Sequence, residues 1–347
     1  MKTVAVIGYG GQGAWHCARI MENNVAKLVG IYDIKENRRQ LAKEKGIFVY
    51  ESNDAIFADS NVDIIVVATP NDIHKELVIK GLSSGHNVIC EKPVALSTAE
   101  FDCMVEAAEK SGKMLSVHQN RRWDADFLAI KSIIDNNEMG EVLRIESRVQ
   151  GSRGIPGDWR QKKQYGGGMI LDWGVHLIDQ MLQLIKEKIV SVDCYTTDYT
   201  NKEVDDGFRL ELTFESGKSA YIEVGTYNFL SLPRFYMQCE SGGVLIGDWN
   251  SDITVAKIKE WDEKEVAPVQ TAAGITKTMA PRAKDSLEIY DRQKPSSDAH
   301  DYYRNYCDAL DGKAEMLIKH YEVRRVLTVM EIAFKSANEK CRIEVNI

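Results

Sequence analysis

Gly8-Tyr9-Gly10-Gly11-Gln12-Gly13 constrains this chain more than any other stretch, because of what stands on either side of it. The apolar run TVAVIG leads straight into it, and helical periodicity from Ala14 to Glu22 leads out. A glycine-rich turn between a buried strand and a helix is the phosphate-binding turn of a βαβ unit. In that reading Gly8 permits the tight turn, Gly10 lets the backbone reach a pyrophosphate, and Gly13 allows helix–strand packing. The helix N-terminus adds free N–H groups and partial positive charge. The next strand ends at Asp33, placed to bind the adenosine ribose hydroxyls and to repel a 2′-phosphate, which favours NAD over NADP. Lys35, Arg38 and Arg39 lie close enough in sequence to hold that phosphate instead.

The pattern continues to about residue 120. Apolar runs KLVGIYD, VDIIVVAT, HNVICEK and MLSVHQN alternate with helix-like stretches Arg38 to Lys45, Ile73 to Ser83 and Thr98 to Lys110. Continuous Val/Ile strands separated by helices imply an α/β doubly wound parallel sheet, a Rossmann domain over residues 1–120. After residue 121 the character changes. A helix (Trp123 to Asn136), the strand EVLRIESRVQ, a Gly-rich loop and an apolar helix near 169–186 precede the strands RLELTF, SAYIEVGTY, RFYMQCE and GVLIGD. Uninterrupted strands favour an open, mostly antiparallel sheet, so residues 121–347 read as a second, α+β domain. Ala267 to Ser297, with three prolines, reads as a long loop or lid. Helices over Asp298 to Leu310 and Tyr321 to Glu339 and a strand, CRIEVNI, close the chain.

A formal net charge of -8 argues against sequence-independent nucleic-acid binding and against an anionic membrane. The N-terminal apolar run breaks too early for a secretory signal, and no stretch approaches a membrane span. Seven scattered cysteines with no CxxC spacing fit reduced thiols and a cytoplasmic location.

Chemistry-bearing residues gather at two further places. Thr69, Pro70, Asn71 and His74 lead from an apolar strand into a helix, and Glu91-Lys92-Pro93 ends the next strand, where doubly wound sheets bind ligands. On the helix near 169–186, Asp172, His176, Asp179 and Gln183 form one polar stripe on an otherwise apolar surface. A stripe of that kind needs a polar cavity or partners. An imidazole beside carboxylates suits removal of a hydroxyl proton while a hydride moves to nicotinamide. Lys92 is the other candidate base, or in its protonated form an electrophile. A metal on Asp172, His176 and Asp179 is disfavoured, because that spacing stretches about 10 Å along the axis.

The series GYGGQG, ATPNDIH, ICEKPVALS, HQNRRWDADF and GGGMILDWGVHLID resembles the glucose–fructose oxidoreductase/inositol dehydrogenase/rhizopine catabolism (Gfo/Idh/MocA) family over nearly the whole length. The resemblance implies catalytic roles for Lys92, Asp172 and His176, often with a cis peptide before Pro93. It implies cofactor contacts from Asn120, Trp159 and Arg160, a substrate contact from Arg121, and oligomers (a dimer or tetramer) through the second sheet. NRRWD with DWGVHLIDQ is similar to the branch of scyllo-inositol dehydrogenases that use NADP. Asp33 departs from that branch, and HQN replaces the commoner YHN. The expected activity is hydride transfer between NAD(P) and a sugar, glycoside or inositol. The alternatives are an NAD-dependent glycoside hydrolase working by transient oxidation and elimination, and a non-catalytic nucleotide sensor. Intact Lys92, Asp172 and His176 argue against the sensor.

Overall fold

The computed structural model describes residues 1–22, 24–259, 267–282 and 284–347. The chain begins as β1 (Lys2–Ile7), α1 (Gly11–Glu22), β2 (Ala26–Tyr32), α2 (Glu36–Glu44), α3 (Asn53–Phe57), β3 (Ile64–Val67), α4 (His74–Ser83), β4 (Asn87–Cys90), α5 (Thr98–Ser111) and β5 (Leu115–Val117). The five strands pair in parallel in the order β2-β1-β3-β4-β5. β3 is buried at all four positions, as a strand covered on both faces must be.

The second half runs α6 (Ala125–Asp135), β6 (Val142–Gln150), α7 (Val175–Leu184), β7 (Ile189–Thr197), β8 (Gly207–Phe214), β9 (Ser219–Gly225), β10 (Phe235–Cys239), β11 (Gly242–Ile246) and β12 (Ile253–Ile258). It ends with β13 (Val269–Thr271), β14 (Gly274–Thr276), β15 (Leu287–Arg292), α8 (His300–Leu310), α9 (His320–Glu339) and β16 (Ile343–Glu344). Nine of these strands form one sheet in the order β15-β12-β11-β10-β6-β9-β8-β7-β16, antiparallel except for the β6–β9 pair. Alternation fixes its faces: Leu210, Leu212 and Phe214 of β8 turn inward, where α9 packs against β7 and α7 against α9. The opposite face exposes Tyr195, Leu245 and Ile289 among ion pairs such as Arg148 with Glu146 and Glu223.

The structure differs from the pattern reading in two places and bears it out in a third. Ala267 to Ser297 is not one loop: it holds the β13–β14 hairpin and β15, an edge strand paired with β12 along its whole length. The helix expected near 169–186 forms, with its first turn π-helical (Ile170–Gly174) and the rest as α7. The strands β7 and β12 and the short helix α3 have no counterpart in the pattern reading.

The chain also returns to its start. From α8, Tyr306 Oη donates toward the Met114 and Val88 carbonyls (2.9 and 3.2 Å), Tyr302 Oη donates to Ser116 Oγ (3.0 Å), and Tyr303 hydrogen-bonds His16 of α1. All three tyrosines are buried, so α8 belongs physically to the first sheet.

Candidate active site

The glycine turn has the shape expected of it. Gly8 sits at φ +95°, and a Cβ there would lie 2.4 Å from the Ala68 carbonyl oxygen. A Cβ on Gly13 would meet the Gly8 carbonyl oxygen at 1.9 Å, whereas Gly10 and Gly11 face open space. Two glycines therefore serve packing, and two leave room beside the α1 N-terminus. Asp33 accepts from the Tyr9 N–H (2.7 Å) and the Lys35 N–H (2.8 Å), which fixes its carboxylate at the end of β2. Arg38 is exposed; Arg39 donates to the Asp33 and Ile34 carbonyls and lies over the Tyr32 ring.

The turns after β3 and β4 are braced from within. His74 is fully buried with its ring nitrogens 3.0 Å from the Thr69 and Pro93 carbonyls, and Asn71 donates to the Gly166 carbonyl at 2.8 Å. The His74 ring spends both nitrogens on backbone and braces the two turns, while the Asn71 amide nitrogen ties its turn to the Gly166 loop. Glu91 is buried and accepts at 2.7 Å from both His16 and His118. Burial alone would raise its carboxyl; the two imidazoles outweigh that and hold it well below the usual range. The ligand atoms of His16, Glu91 and His118 lie within 4.8 Å of one another, the spacing of a metal cluster. Yet one carboxylate oxygen stands at hydrogen-bond distance from two rings, and Tyr303 satisfies the other nitrogen of His16. Hydrogen bonds account for the group. They also fasten α1, which springs from the glycine turn, to the residue beside Lys92.

Lys92 and Asp172 meet across the two halves. The ammonium donates to the Asp172 main-chain carbonyl (2.9 Å) and carboxylate (3.2 Å), and the Lys92–Pro93 peptide is cis. Arg160 pairs with the other Asp172 oxygen at 3.2 Å and stacks on Trp159. Burial pushes the Asp172 carboxyl up, but Lys92 and Arg160 outweigh it and keep it ionised. His176 lies one turn on, buried, with no hydrogen bond to either ring nitrogen among the described residues. Burial first, then the charges of Lys92 and Arg121, push its pKa well below the ordinary value, so the ring is neutral.

The polar stripe is thus divided in two. Asp179 leaves the site and forms a forked pair with Arg122 (2.8 and 2.6 Å), which also holds Glu322 of α9 at 2.8 Å. With Asp179 engaged there, the Asp172–His176–Asp179 metal set does not assemble. Asp205 caps the helix start by accepting from the Met169 and Ile170 N–H groups (2.9 and 2.8 Å), and burial lifts its carboxyl to about 7. A π turn at this point agrees with the frequent placement of such turns at functional sites.

Several contributors left no sequence signal. Trp249, in the β11–β12 loop, comes within 6.2 Å of the Trp173 ring, and Arg121 stacks on Trp173 at 4.2 Å. Buried Arg234 lies over the other side of this cluster, 4.5 Å from Trp249, paired with Asp126 at 3.2 Å. Trp15, Trp123 and Tyr302 line a cavity of about 120 Å³ beside Asn120. Only the register of a distant loop or helix brings such residues here.

Buried polar atoms lacking partners concentrate in the same region: Thr69 Oγ1, His118 Nε2, both amide atoms of Gln119, Asn120 Oδ1, Arg121 Nε and His176 Nδ1. Each such atom costs about 1–3 kcal/mol when left unmet. Their gathering between Thr69, the end of β5 and α7 fits a ligand rich in hydroxyls and amides. A nicotinamide dinucleotide laid from the Gly10–Gly11 opening toward Lys92 is such a ligand.

Comparison with known proteins agrees. Residues 2–119 match the model of an oxidoreductase family with an NAD-binding Rossmann fold, and residues 127–245 match the GFO/IDH/MocA C-terminal domain. An NAD-binding protein from Listeria innocua superposes with a TM-score of 0.96 at 39% identity, covering 99% of each chain. The scyllo-inositol 2-dehydrogenase (NADP(+)) IolW of Bacillus subtilis is 27% identical over 97% of this chain and 94% of its own. An uncharacterized oxidoreductase of Schizosaccharomyces pombe is 37% identical over 44% of each chain, so the match spans less than half of that relative. With both family models matched in order and the same two-sheet architecture shared over its full length, this chain belongs to the Gfo/Idh/MocA oxidoreductase family.

Proposed function

We propose that the chain is an NAD-dependent dehydrogenase that oxidises a secondary hydroxyl of a sugar or cyclic polyol. The observation that carries this reading is a neutral, unpartnered imidazole, His176, one helical turn from a lysine–carboxylate pair. The bound nicotinamide supplies the hydride acceptor. His176 takes the hydroxyl proton, Lys92 holds the oxygen from which it leaves, and Asp172 with Arg160 keeps the Lys92 ammonium in place. Asp33 supports NAD over NADP, although the relative IolW is named for NADP(+). The exposed face of the nine-stranded sheet supports a homo-oligomer formed through it.

The test follows NADH absorbance with NAD or NADP against a panel of inositols, aldoses and glycosides. NADH accumulating with NAD supports the dehydrogenase. Release of free sugar without net NADH replaces it with the hydrolase, and no turnover of any kind defeats both.

A further inference from the structure

Resting on the dehydrogenase reading, we infer that Arg121, packed against Trp173 and beside Trp249, is an anion subsite, and that the substrate is a polyhydroxylated ring bearing a carboxylate or phosphate. The guanidinium carbon lies 4.2 Å from the Trp173 ring centroid and 5.4 Å from that of Trp249. Packing on the Trp173 indole, with Trp249 alongside, restrains the fork before anything binds, which lowers the ordering cost of a two-point contact. One nitrogen, Nη1, is taken by Asp124 at 2.9 Å. Nε is buried without a partner, and Nη2 has no hydrogen bond to any described residue. The Nε–Nη2 edge, the edge that matches a carboxylate or phosphate, is the one left over.

Trp249 is held for this role. Its loop is tied by the Asp248 carboxylate to the Asn250 and Ser251 N–H groups, both at 2.8 Å, and by Lys294 to the Trp249 carbonyl at 2.9 Å. The ring nonetheless stays 45% exposed, as a platform for the apolar face of a sugar requires. Trp173 connects this platform to the chemistry, its ring 5.9 Å from His176. A six-membered ring can reach from one to the other.

Charge points the same way. Lys92, Arg121, Arg160 and Arg234 pair with Asp124, Asp126, Asp158 and Asp172, so the preference rests on how well each carboxylate compensates its partner. Burial raises the Asp124 carboxyl, so Arg121 is compensated by a reluctant anion.

The experiment compares kcat/KM for neutral aldoses and inositols with the matching uronates and sugar phosphates, using NAD and the wild-type, Arg121→Gln, Arg121→Lys and Trp249→Ala proteins. NAD titration by tryptophan fluorescence verifies that each variant is folded. The wild type is expected to favour at least one anionic class by about 10²-fold or more, since a site built around a charged group rejects analogues lacking it. Arg121→Gln should collapse that ratio through KM, Arg121→Lys should restore part of it, and Trp249→Ala should raise KM for both classes. The uronate and phosphate arms identify which anion is bound. Equal or better turnover of neutral rings by the wild type, or an unchanged ratio in Arg121→Gln, overturns the subsite and leaves the dehydrogenase reading standing. Failure of every substrate to reduce NAD overturns that reading too.

Discussion

Lys92 Nζ donates to the Asp172 main-chain carbonyl at 2.9 Å and to its Oδ1 at 3.2 Å, so one ammonium ties the end of β4 to the π turn before α7. The contact spans 80 residues of sequence and joins the two sheets at the point where the chemistry is assigned. In the proposed reaction, Lys92→Met removes the charge that holds the oxygen from which the proton leaves. The expected result is a fall in kcat of roughly 10²–10⁴-fold with NAD affinity unchanged within a few-fold, read by steady-state kinetics and fluorescence titration. Asp172→Asn should lose less, because Lys92 keeps the main-chain carbonyl.

His176 sets the acid side of the pH profile. Its folded pKa lies well below 6.5, so the ring stays neutral as pH falls past that value and protonates only lower down. kcat/KM should therefore show no His176 limb between pH 8 and 6.5, and its ring should not titrate there by NMR. His16 and His74 are lowered as well, both chiefly by burial. Unfolded chains bind those protons first, so the three rings remove stability as pH falls below about 6.5. A His176 ring titrating at or above pH 6.5 in the folded protein would refute the assignment of a neutral base.

Gly168 and Asp205 control where the catalytic helix begins. Gly168 has φ +103°, and a Cβ there would stand 2.3 Å from Asp205 Oδ1. Asp205→Ala should cost about 1–2 kcal/mol by freeing two helix N–H groups, measured by urea denaturation. Gly168→Ala combines a strained backbone with a displaced cap, and should lower kcat more than Asp205→Ala does.

Asp33→Ser removes the carboxylate proposed to repel a 2′-phosphate while leaving Arg39 at the end of β2. The ratio of NADP to NAD affinity should rise about tenfold or more, and Arg39→Ala in the same background should reverse the gain. No change in the ratio would separate Asp33 from cofactor choice.

Arg122→Leu leaves Asp179 and Glu322 without their shared partner. An uncompensated buried carboxylate of this kind costs about 3–5 kcal/mol, so the midpoint of denaturation should drop sharply while Lys92→Met leaves it nearly unmoved.

What could be read from the residues follows from how local each signal is. The glycine turn, Asp33, Lys92 and the Asp172–His176 pair declare themselves within a few residues, because turn geometry and helical period act at short range. The Ala267–Ser297 reading failed for the converse reason: Pro268, Pro281 and Pro295 all fall outside the strands, and β15 pairs on one side only, so polar side chains are tolerated in it. The positions 172, 176 and 179 looked alike on a helical wheel, yet Arg122 and Glu322 draw Asp179 away, an effect of tertiary placement. Trp249, Arg234 and Tyr302 carry no motif; sheet register and the docking of α8 bring them to the site.

That docking decides how the protein could be recombined with its relatives. A hybrid that took residues 1–120 from this chain and everything later from another would keep the glycine turn but lose Tyr303 from His16 and Tyr306 from the Val88 and Met114 carbonyls. Exchanges that respect the physical seam must move the segment His300–Leu310 together with the first 120 residues, as two pieces of one inherited block.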